Sequence, residues 1–502
     1  MKRQFAKNLT SNWAMYGVMA LISFFLMPYI LSRIGQTALG VWILVGSFSG
    51  YLGLFDFGIG FAVVRFVARY QRAGDFQSRN EVVATAFYAA SGLALLVIAA
   101  TLYIMVNAAA LFDIPPNLVG QSQAVIFLTG LSIAIGFPLS IFSEALAGGL
   151  FRFDLFNTVG LLMGVLRAGL TILCLEFGWG LTGLGFAALV SSLLAYLWRA
   201  RMLFSLLPDL SIHPRLVSRD VIRKIGGYSF FSFILVFSGR IAFYSDSFVV
   251  GYFCGIKEVA VFGIAAKLTE YLRQLIFTTT KLFSPVASRY DPDKDQASLR
   301  RIFYDGSRLH LLFSLPLSWV LFFWGGKLIR LWVGDAFSYS EVILQILLLG
   351  HVTSFLQGIG GDILLGVGRH QRFAILSLLA AIINISLSII LVKPWGLAGV
   401  AWGTTIPLTV LSLFYLPAAT LRLVGGKPLE FIRKAVQPAV LASIVPGAVV
   451  LIAGKWINSL YSLFLWGAVV AGLFAIGAFM FGLQKPEKER IISELSRLRG
   501  RF

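Results

Sequence analysis

Five basic side chains stand inside long apolar stretches of this chain: Arg167, Arg240, Lys267, Arg273 and Lys281. A charge in hydrocarbon costs roughly 2.5 to 3.5 kcal/mol or more, so such groups face a wet cavity or a counter-charge. The chemistry they offer is anion binding, because arginine forks onto phosphate or carboxylate oxygens and lysine adds a mobile point charge. On a helix, Lys267, Glu270, Gln274, Thr278 and Lys281 share one stripe. On another, Arg240, Tyr244 and Ser247 share a face, with Asp246 about a third of a turn away. Two readings stay open: a cationic lining for an anionic substrate, or internal neutralisation of Lys267 by Glu270 and of Arg240 by Asp246.

Embedded acids are fewer. Asp56 lies in SGYLGLFDFGIGFAVVRFVARY at 49–70, where Gly58 and Gly60 weaken the helix and free backbone groups toward a cavity. It is read either as a cation or proton site or as the partner of an arginine such as Arg167. Arg65 and Arg69, at the end of the same stretch, are read as topogenic charge. Glu144 and Arg152 match Asp362 and Arg369 in the similar strings EALAGGLFR and DILLGVGR. These four are candidates for a cytoplasmic gate, or for fixed pairs at helix ends.

Enzyme signatures are weak by comparison. DPDKD at 291–295 has the DxD spacing of a metal and sugar-nucleotide site, but it sits in a short loop without room for a nucleotide-binding domain. The four histidines, His213, His310, His351 and His370, make no HExxH or i,i+4 pair, and no metal site is expected. No GxxxxGK[ST] loop occurs, so ATP hydrolysis is not expected and no cofactor is assigned. Cys174 and Cys254 have no metal or redox spacing.

The elements that position these groups follow from composition. Of 502 residues, 58% are hydrophobic and only 13% charged, with a mean hydropathy of +0.83. A soluble domain is about a quarter charged. Apolar runs of roughly twenty or more residues recur, each long enough to cross a bilayer as a helix. The reading is an all-α polytopic membrane protein with about fourteen spans: 11–34, 38–70, 80–107, 119–149, 153–176, 180–203, 225–252, 256–287, 305–326, 340–366, 370–393, 396–423, 432–453 and 460–483. The second, fourth and eighth are long enough to tilt, bend or protrude. The N-terminal apolar stretch continues through Pro28 without a small-x-small cleavage site and is read as a retained first helix.

The net charge of +19 has a topological reading. Between the spans, 31 lysines and arginines fall on one side and 6 on the other, with five embedded. The positive-inside rule then places both termini in the cytoplasm. No basic nucleic-acid module appears, and nucleic acid is not an expected partner. The tail KPEKERIISELSRLRGRF reads as a basic helix on the anionic leaflet or as a solvated segment.

The chain also repeats. GQTALGVW at 35–42 matches GIKEVAVF at 255–262, and WGLTGLG at 179–185 matches WGLAGVA at 395–401, with the Glu144 and Asp362 strings between them. The expected organisation is two parallel-oriented six-helix bundles, 1–210 and 211–425, then two further helices in 426–485 and a basic tail, 486–502.

LSRIGQTALGVW (31–42), GYLGLFDFGIGFAVVRFVARY, DSFVVGYFCGIKEVAVFGIAAKL (246–268) and the WGL-x-G pair resemble bacterial polysaccharide transporters of the multidrug, oligosaccharidyl-lipid and polysaccharide (MOP) flippase superfamily, O-antigen flippases included. The resemblance implies a non-enzymatic secondary transporter of the bacterial inner membrane. Its substrate would be an undecaprenyl-pyrophosphate-linked oligosaccharide moved from the inner to the outer leaflet for surface polysaccharide synthesis. Membrane lipids, glycan polymerases and glycosyltransferases are candidate partners. Alternatives are a lipid II flippase, a cation-coupled multidrug exporter and, more remotely, an intramembrane glycan polymerase. A cation exporter calls for an acidic cavity, whereas these embedded groups are net basic.

Overall fold

The computed structural model describes residues 2–228, 230–280, 283–485 and 487–489. Every regular element among them is helical, which satisfies the backbone within each segment where lipid offers it no hydrogen-bond partner. Contacts divide the chain into two units, Met1–Ala260 and Val261–Phe502.

In the first unit α1 spans Lys2–Leu52 and bends at Gly35, whose φ of 78° suits a residue without a side chain. A 3-10 turn, Gly53–Asp56, separates it from α2, Ile59–Ala73. There follow α3 (Phe76–Leu111), α4 (Pro116–Glu144), a π turn over Ala145–Gly149, α5 (Phe153–Glu176) and α6 (Gly180–Leu206). Two more helices, α7 (Arg219–Tyr228) and α8 (Phe230–Phe253), complete it. The core joins Ala62, Val63 and Val67 of α2 to Val82 and Val83 of α3 and Ile141 and Phe142 of α4. Small residues let helices close up: a β-carbon on Gly130 would strike the Thr101 side chain.

The segment after α6 is strapped to α3. Arg79 is fully buried and donates to Asp209 Oδ2 at 2.7 Å and to Gln71 Oε1 at 2.7 Å. Asn80 donates to the Asp209 carbonyl (2.8 Å), Tyr88 to the Ile212 carbonyl (3.1 Å), and the Ser218 N–H to Thr85 Oγ1 (3.0 Å).

Across the boundary, α9 (Ile256–Thr280) leads into the second unit, with α10 (Phe283–Ala287), α11 (Gln296–Val333) and α12 (Ser340–Gly366). Then come α13 (Gln371–Val410), non-helical at Gly396, and α14 (Leu416–Leu423). The last three are α15 (Pro428–Phe431), α16 (Gln437–Ala453) and α17 (Leu460–Gly477). Phe303 stacks on Phe431 with ring centroids 4.8 Å apart. Buried Arg308 is held by Asp305 (3.2 Å) and Glu487 (2.7 Å).

The contact division falls at Ala260, whereas the sequence repeat is expected to change over at 211. The two differ because α8 packs on α1, with the Phe48 and Phe248 rings 4.7 Å apart. Glycines of the paired motifs share backbone conformation: φ is 78° at Gly35 and 95° at Gly255, and 51° at Gly180 and 55° at Gly396.

Eleven stretches among the described residues are long and apolar enough to cross a membrane. Two of them, Thr10–Asp56 and Gln371–Leu423, are 47 and 53 residues long and contain the Gly35 and Gly396 breaks. Dividing both there, and adding the charge-bearing α9, is the fourteen-span proposal. Of the proposed basic tail, residues 486 and 490–502 lie outside the described residues.

The proposal requires reporter fusions near residues 113 and 335 to score outside and those near 215 and 428 to score inside; one reversal breaks it. The strap gives a pH prediction. Hydrogen bonding from Arg79 holds the Asp209 carboxyl below its ordinary value. Its stabilising contribution is therefore present above the unfolded value of 3.8 and fades as pH falls through the folded one. Asp209→Asn should lower the melting temperature of the purified protein at pH 7 and change it less at pH 3.

Candidate functional site

The first unit's polar site is built on the interruption between α1 and α2. Leu52 is followed by a tight turn, then by two left-handed residues, Phe57 (φ 46°) and Gly58 (φ 78°). Glycine adopts that conformation freely, whereas a bulky residue does so at a cost of about 1–2 kcal/mol. Phe57 is half exposed and rests on Phe233, ring centroids 5.6 Å apart. The turn leaves the first N–H groups of α2 without helical partners. The Asp56 carboxylate lies beside the Gly60 and Gly58 N–H groups, at the positive end of the α2 dipole.

Two side chains from elsewhere converge on this turn, both admitted by missing β-carbons. Arg240 of α8 donates from Nη1 to the Gly50 carbonyl at 3.1 Å, and its guanidinium lies where a Gly53 side chain would be. One turn on, the Tyr244 ring occupies the place of a Gly50 side chain. Glu144 ends α4 and is followed by the π turn, whose Gly148 and Gly149 lie directly against Val64 and Val67 of α2. That contact carries Glu144 to Gly60. The point where a Gly60 β-carbon would stand is 3.6 Å from Glu144 Cδ and 3.9 Å from Asp56 Oδ2. Asp56, Glu144, Arg240, Gly58, Phe61 and Phe233 all line one cavity of about 220 Å³.

Electrostatically, Arg240 is the cation acting on Asp56, and Arg199 of α6 the one acting on Glu144. Arg199 is buried, its guanidinium 3.9 Å from the Phe156 ring centroid and hydrogen-bonded to the Phe156 carbonyl at 3.2 Å. In the order Arg240, Asp56, Glu144, Arg199, two neighbouring carboxylates are thus flanked by one cation on each side. Such an arrangement holds charge inside a span, and its cavity can admit an ion or an anionic group.

Several expected pairs are formed differently. Asp56 lies under the influence of Arg240, not Arg167, which is exposed on α5 and makes no ion pair among the described residues. Arg240 bonds Gly50 rather than Asp246, which is buried in α8. Arg152, at the N-cap of α5, pairs with Asp154 two residues on (3.0 Å), and Lys7 joins the same carboxylate at 2.9 Å, so Glu144 is left to the cavity. Arg369 pairs at 2.6 Å with Asp293 of the DPDKD loop, while Asp362 is half-buried in α12. Glu270 is bonded by Arg273 (2.6 and 2.8 Å) and Gln274 (2.7 Å), and Lys267 Nζ lies 5.0 Å from the Tyr271 ring centroid. Lys281 lies outside the described residues.

No group of three or more metal-type ligands occurs among the described residues. His351 stacks on Phe355, centroids 6.2 Å apart, as a packed side chain. The site residue that sequence reading missed is Arg199. Its signal was present: it continues the buried stripe of Ala188, Ser191 and Ala195 on α6, instead of standing among the end charges.

Comparisons with known proteins bear on this arrangement. A family model described as "Polysaccharide biosynthesis protein" matches residues 71–341, and one for the lipid II flippase MurJ matches 275–474. The membrane protein EpsK of Bacillus subtilis is 23% identical over 99% of both chains. A Shigella flexneri protein described as an O-antigen transporter is 23% identical over 82% of this chain and 97% of its own. Among solved structures, an inward-facing multidrug MATE transporter of the MOP superfamily superposes with a TM-score of 0.64 at 18% identity, covering 82% of this chain and 94% of its own. Lipid II flippase MurJ in an inward closed conformation gives 0.62 at 15%, covering 92% and 98%. At these identities the structural likeness establishes the fold.

Gly148→Val should displace the π turn and cost about 1–3 kcal/mol of stability by overpacking. Glu144→Gln keeps the shape and should leave the melting temperature within a few degrees of wild type while reducing transport. If Glu144→Gln transports like wild type, Glu144 is only a structural neighbour of the cavity.

Proposed function

Because the chain belongs to the polysaccharide biosynthesis protein family, we propose that this multi-span transporter of the MOP flippase superfamily moves an undecaprenyl-pyrophosphate-linked glycan unit from the inner to the outer leaflet by alternating access. The observation that carries the reading is a polar cavity at a broken helix inside an apolar bundle, with Arg240 at its wall. The sugars of such a substrate need water and hydrogen-bond partners, its diphosphate needs cations, and its prenyl tail can stay in lipid. Discontinuous helices are where carriers place binding sites, because irregular backbone inside a membrane is tolerated only around a cavity.

Within this reading Arg240 is a diphosphate contact, and Lys267, Arg273, Arg167 and Lys281 are further proposed contacts because the sequence alone gives each as a cation in an expected span. Asp56 and Glu144 are the proposed ion-coupling acids, with Asp246 and Glu270 as charge partners. Arg152 and Arg369, held by Asp154 and Asp293, serve as fixed helix-end pairs in this reading. A second reading, transport of lipid II itself, is favoured by the lipid II flippase model over residues 275–474. Both substrates carry the same diphosphate, so the cation assignments are common to them.

Roughly two negative charges moving outward gain about 2.3 kcal/mol each per 100 mV of inside-negative potential. Transport into proteoliposomes should therefore need no nucleotide and should respond to membrane potential, to an ion gradient or to both. Strict ATP dependence of the purified chain would end this account. Arg240→Ala and Lys267→Ala should each abolish surface glycan in a deletion strain while the protein is still made and inserted. Normal glycan from both would remove those two residues from the site. Rescue of a lipid II flippase deletion, with no rescue of surface glycan, selects the second reading.

A further inference from the structure

The far end of α2 carries a charged face that the cavity does not use. The helix buries Ala62, Val63 and Val67 in the core, which turns Arg65, Arg69 and Arg72 outward. Their i, i+4, i+7 spacing stacks them on one side over roughly 10 Å of helix axis. All three are exposed, and together they line an open cavity of about 550 Å³. The rest of its wall is Val64, Ala68 and Ala73, side chains too short to obstruct the guanidiniums. No acidic residue lies between Gly58 and Gly74. Arg69 and Arg72 make no ion pair among the described residues, and Arg69 rests 6.0 Å from the Tyr70 ring centroid.

Topogenic charge explains why cations stand near the end of a span, but any side of the helix and any cation would serve that purpose. Here all three are arginines, on one side, around a concavity. Arginine differs from lysine in its planar fork, which matches two oxygens of one phosphate, and in its weaker hydration. Anionic lipid headgroups bring such oxygens to this depth of a membrane.

We propose that Arg65, Arg69 and Arg72 form a binding site for the phosphate groups of a lipid headgroup at this membrane face. Two sources share the chemistry, a diphosphate-linked polyprenyl lipid and an anionic phospholipid. The first deepens the flippase reading and rests on it: Arg65 stands seven residues from Gly58, about 10 Å along the same rigid helix. A headgroup held there waits one short step from the Asp56, Glu144 and Arg240 cavity.

The test measures binding to the full-length protein in detergent by native mass spectrometry, independently of transport. The probes are undecaprenyl diphosphate, phosphatidylglycerol and, as a neutral control, phosphatidylcholine. R65Q/R69Q/R72Q should weaken binding of an anionic probe about tenfold or more, and R65K/R69K/R72K about threefold, because lysine keeps the charge and loses the fork. Loss confined to undecaprenyl diphosphate identifies the substrate-type lipid; equal loss for phosphatidylglycerol identifies a resident phospholipid. The lysine variant preserves topogenic charge, so it decides the matter alone if the glutamine variant fails to insert. Wild-type affinity for both anionic probes, within twofold in the correctly inserted lysine variant and in any glutamine variant that inserts, overturns the proposal. Failure of the wild type to transport would instead sink the flippase reading and leave the binding result standing.

Discussion

A backbone that leaves the helix inside an apolar span must find partners for the groups it exposes, and the first unit is arranged around that requirement. Between Leu52 and Ile59 the chain makes a tight turn and passes through two left-handed residues. Asp56 answers the free N–H groups of Gly58 and Gly60. That answer creates a second requirement, because an ionised carboxylate in such surroundings is costly without a counter-charge. Arg240 supplies it from α8 and reaches the turn only because Gly50 and Gly53 leave room for Tyr244 and the guanidinium. Glu144 arrives on the opposite side through Gly148 and Gly149. Six glycines thus convert one broken helix into a meeting point of two others.

The interdependence has an energetic consequence. Removing one member of a buried charged set costs more than the interaction it made, since the survivors are left uncompensated. The two acids and the cations that flank them, Arg240 and Arg199, therefore tie α1, α2, α4, α6 and α8 into one electrostatic unit. Charge clusters nearer the chain's loops behave otherwise. Arg369 with Asp293 is substantially exposed on both sides, and exposed pairs of this kind contribute roughly 0–1 kcal/mol.

What was legible in the sequence follows from the range of the interactions. Spans, and the breaks near Gly35 and Gly396, are local consequences of hydrophobic runs and glycine, and so is a bend beside Asp56. Partner choice is not local: Asp56 finds Arg240, 184 positions away, and no periodicity encodes that. Glu144 and Arg152 looked paired by proximity, but Asp154 is nearer the arginine and also receives Lys7. Glu270 had cations three residues away on either side and is bonded by Arg273. Both physical preferences point that way: an acid N-terminal to its base complements the helix dipole, and arginine grips two oxygens where lysine grips one. Arg199 was hidden because a charge near a span end resembles topogenic charge, although it stands on the buried stripe.

The cavity also constrains how an ion could act on an anionic cargo. With both acids ionised, Arg240, Asp56, Glu144 and Arg199 carry no net formal charge. A cation taken up at Asp56 or Glu144 makes the group positive, and by linkage it then raises affinity for an anion as much as the anion raises affinity for it. Direct electrostatics therefore favours the two binding together, which is the wrong sign for exchanging an inward cation against an outward diphosphate. Exchange requires an effect of opposite sign, and the interaction of Asp56 with the N–H groups at the start of α2 provides a physical source. Neutralising that carboxylate weakens its hold on the Gly58 and Gly60 N–H groups, and with it the set of α2's first turn. The same ion thus acts on local charge in one direction and on backbone geometry in the other. On the proposed reading, exchange would require the turn's movement to outweigh the attraction of the charge.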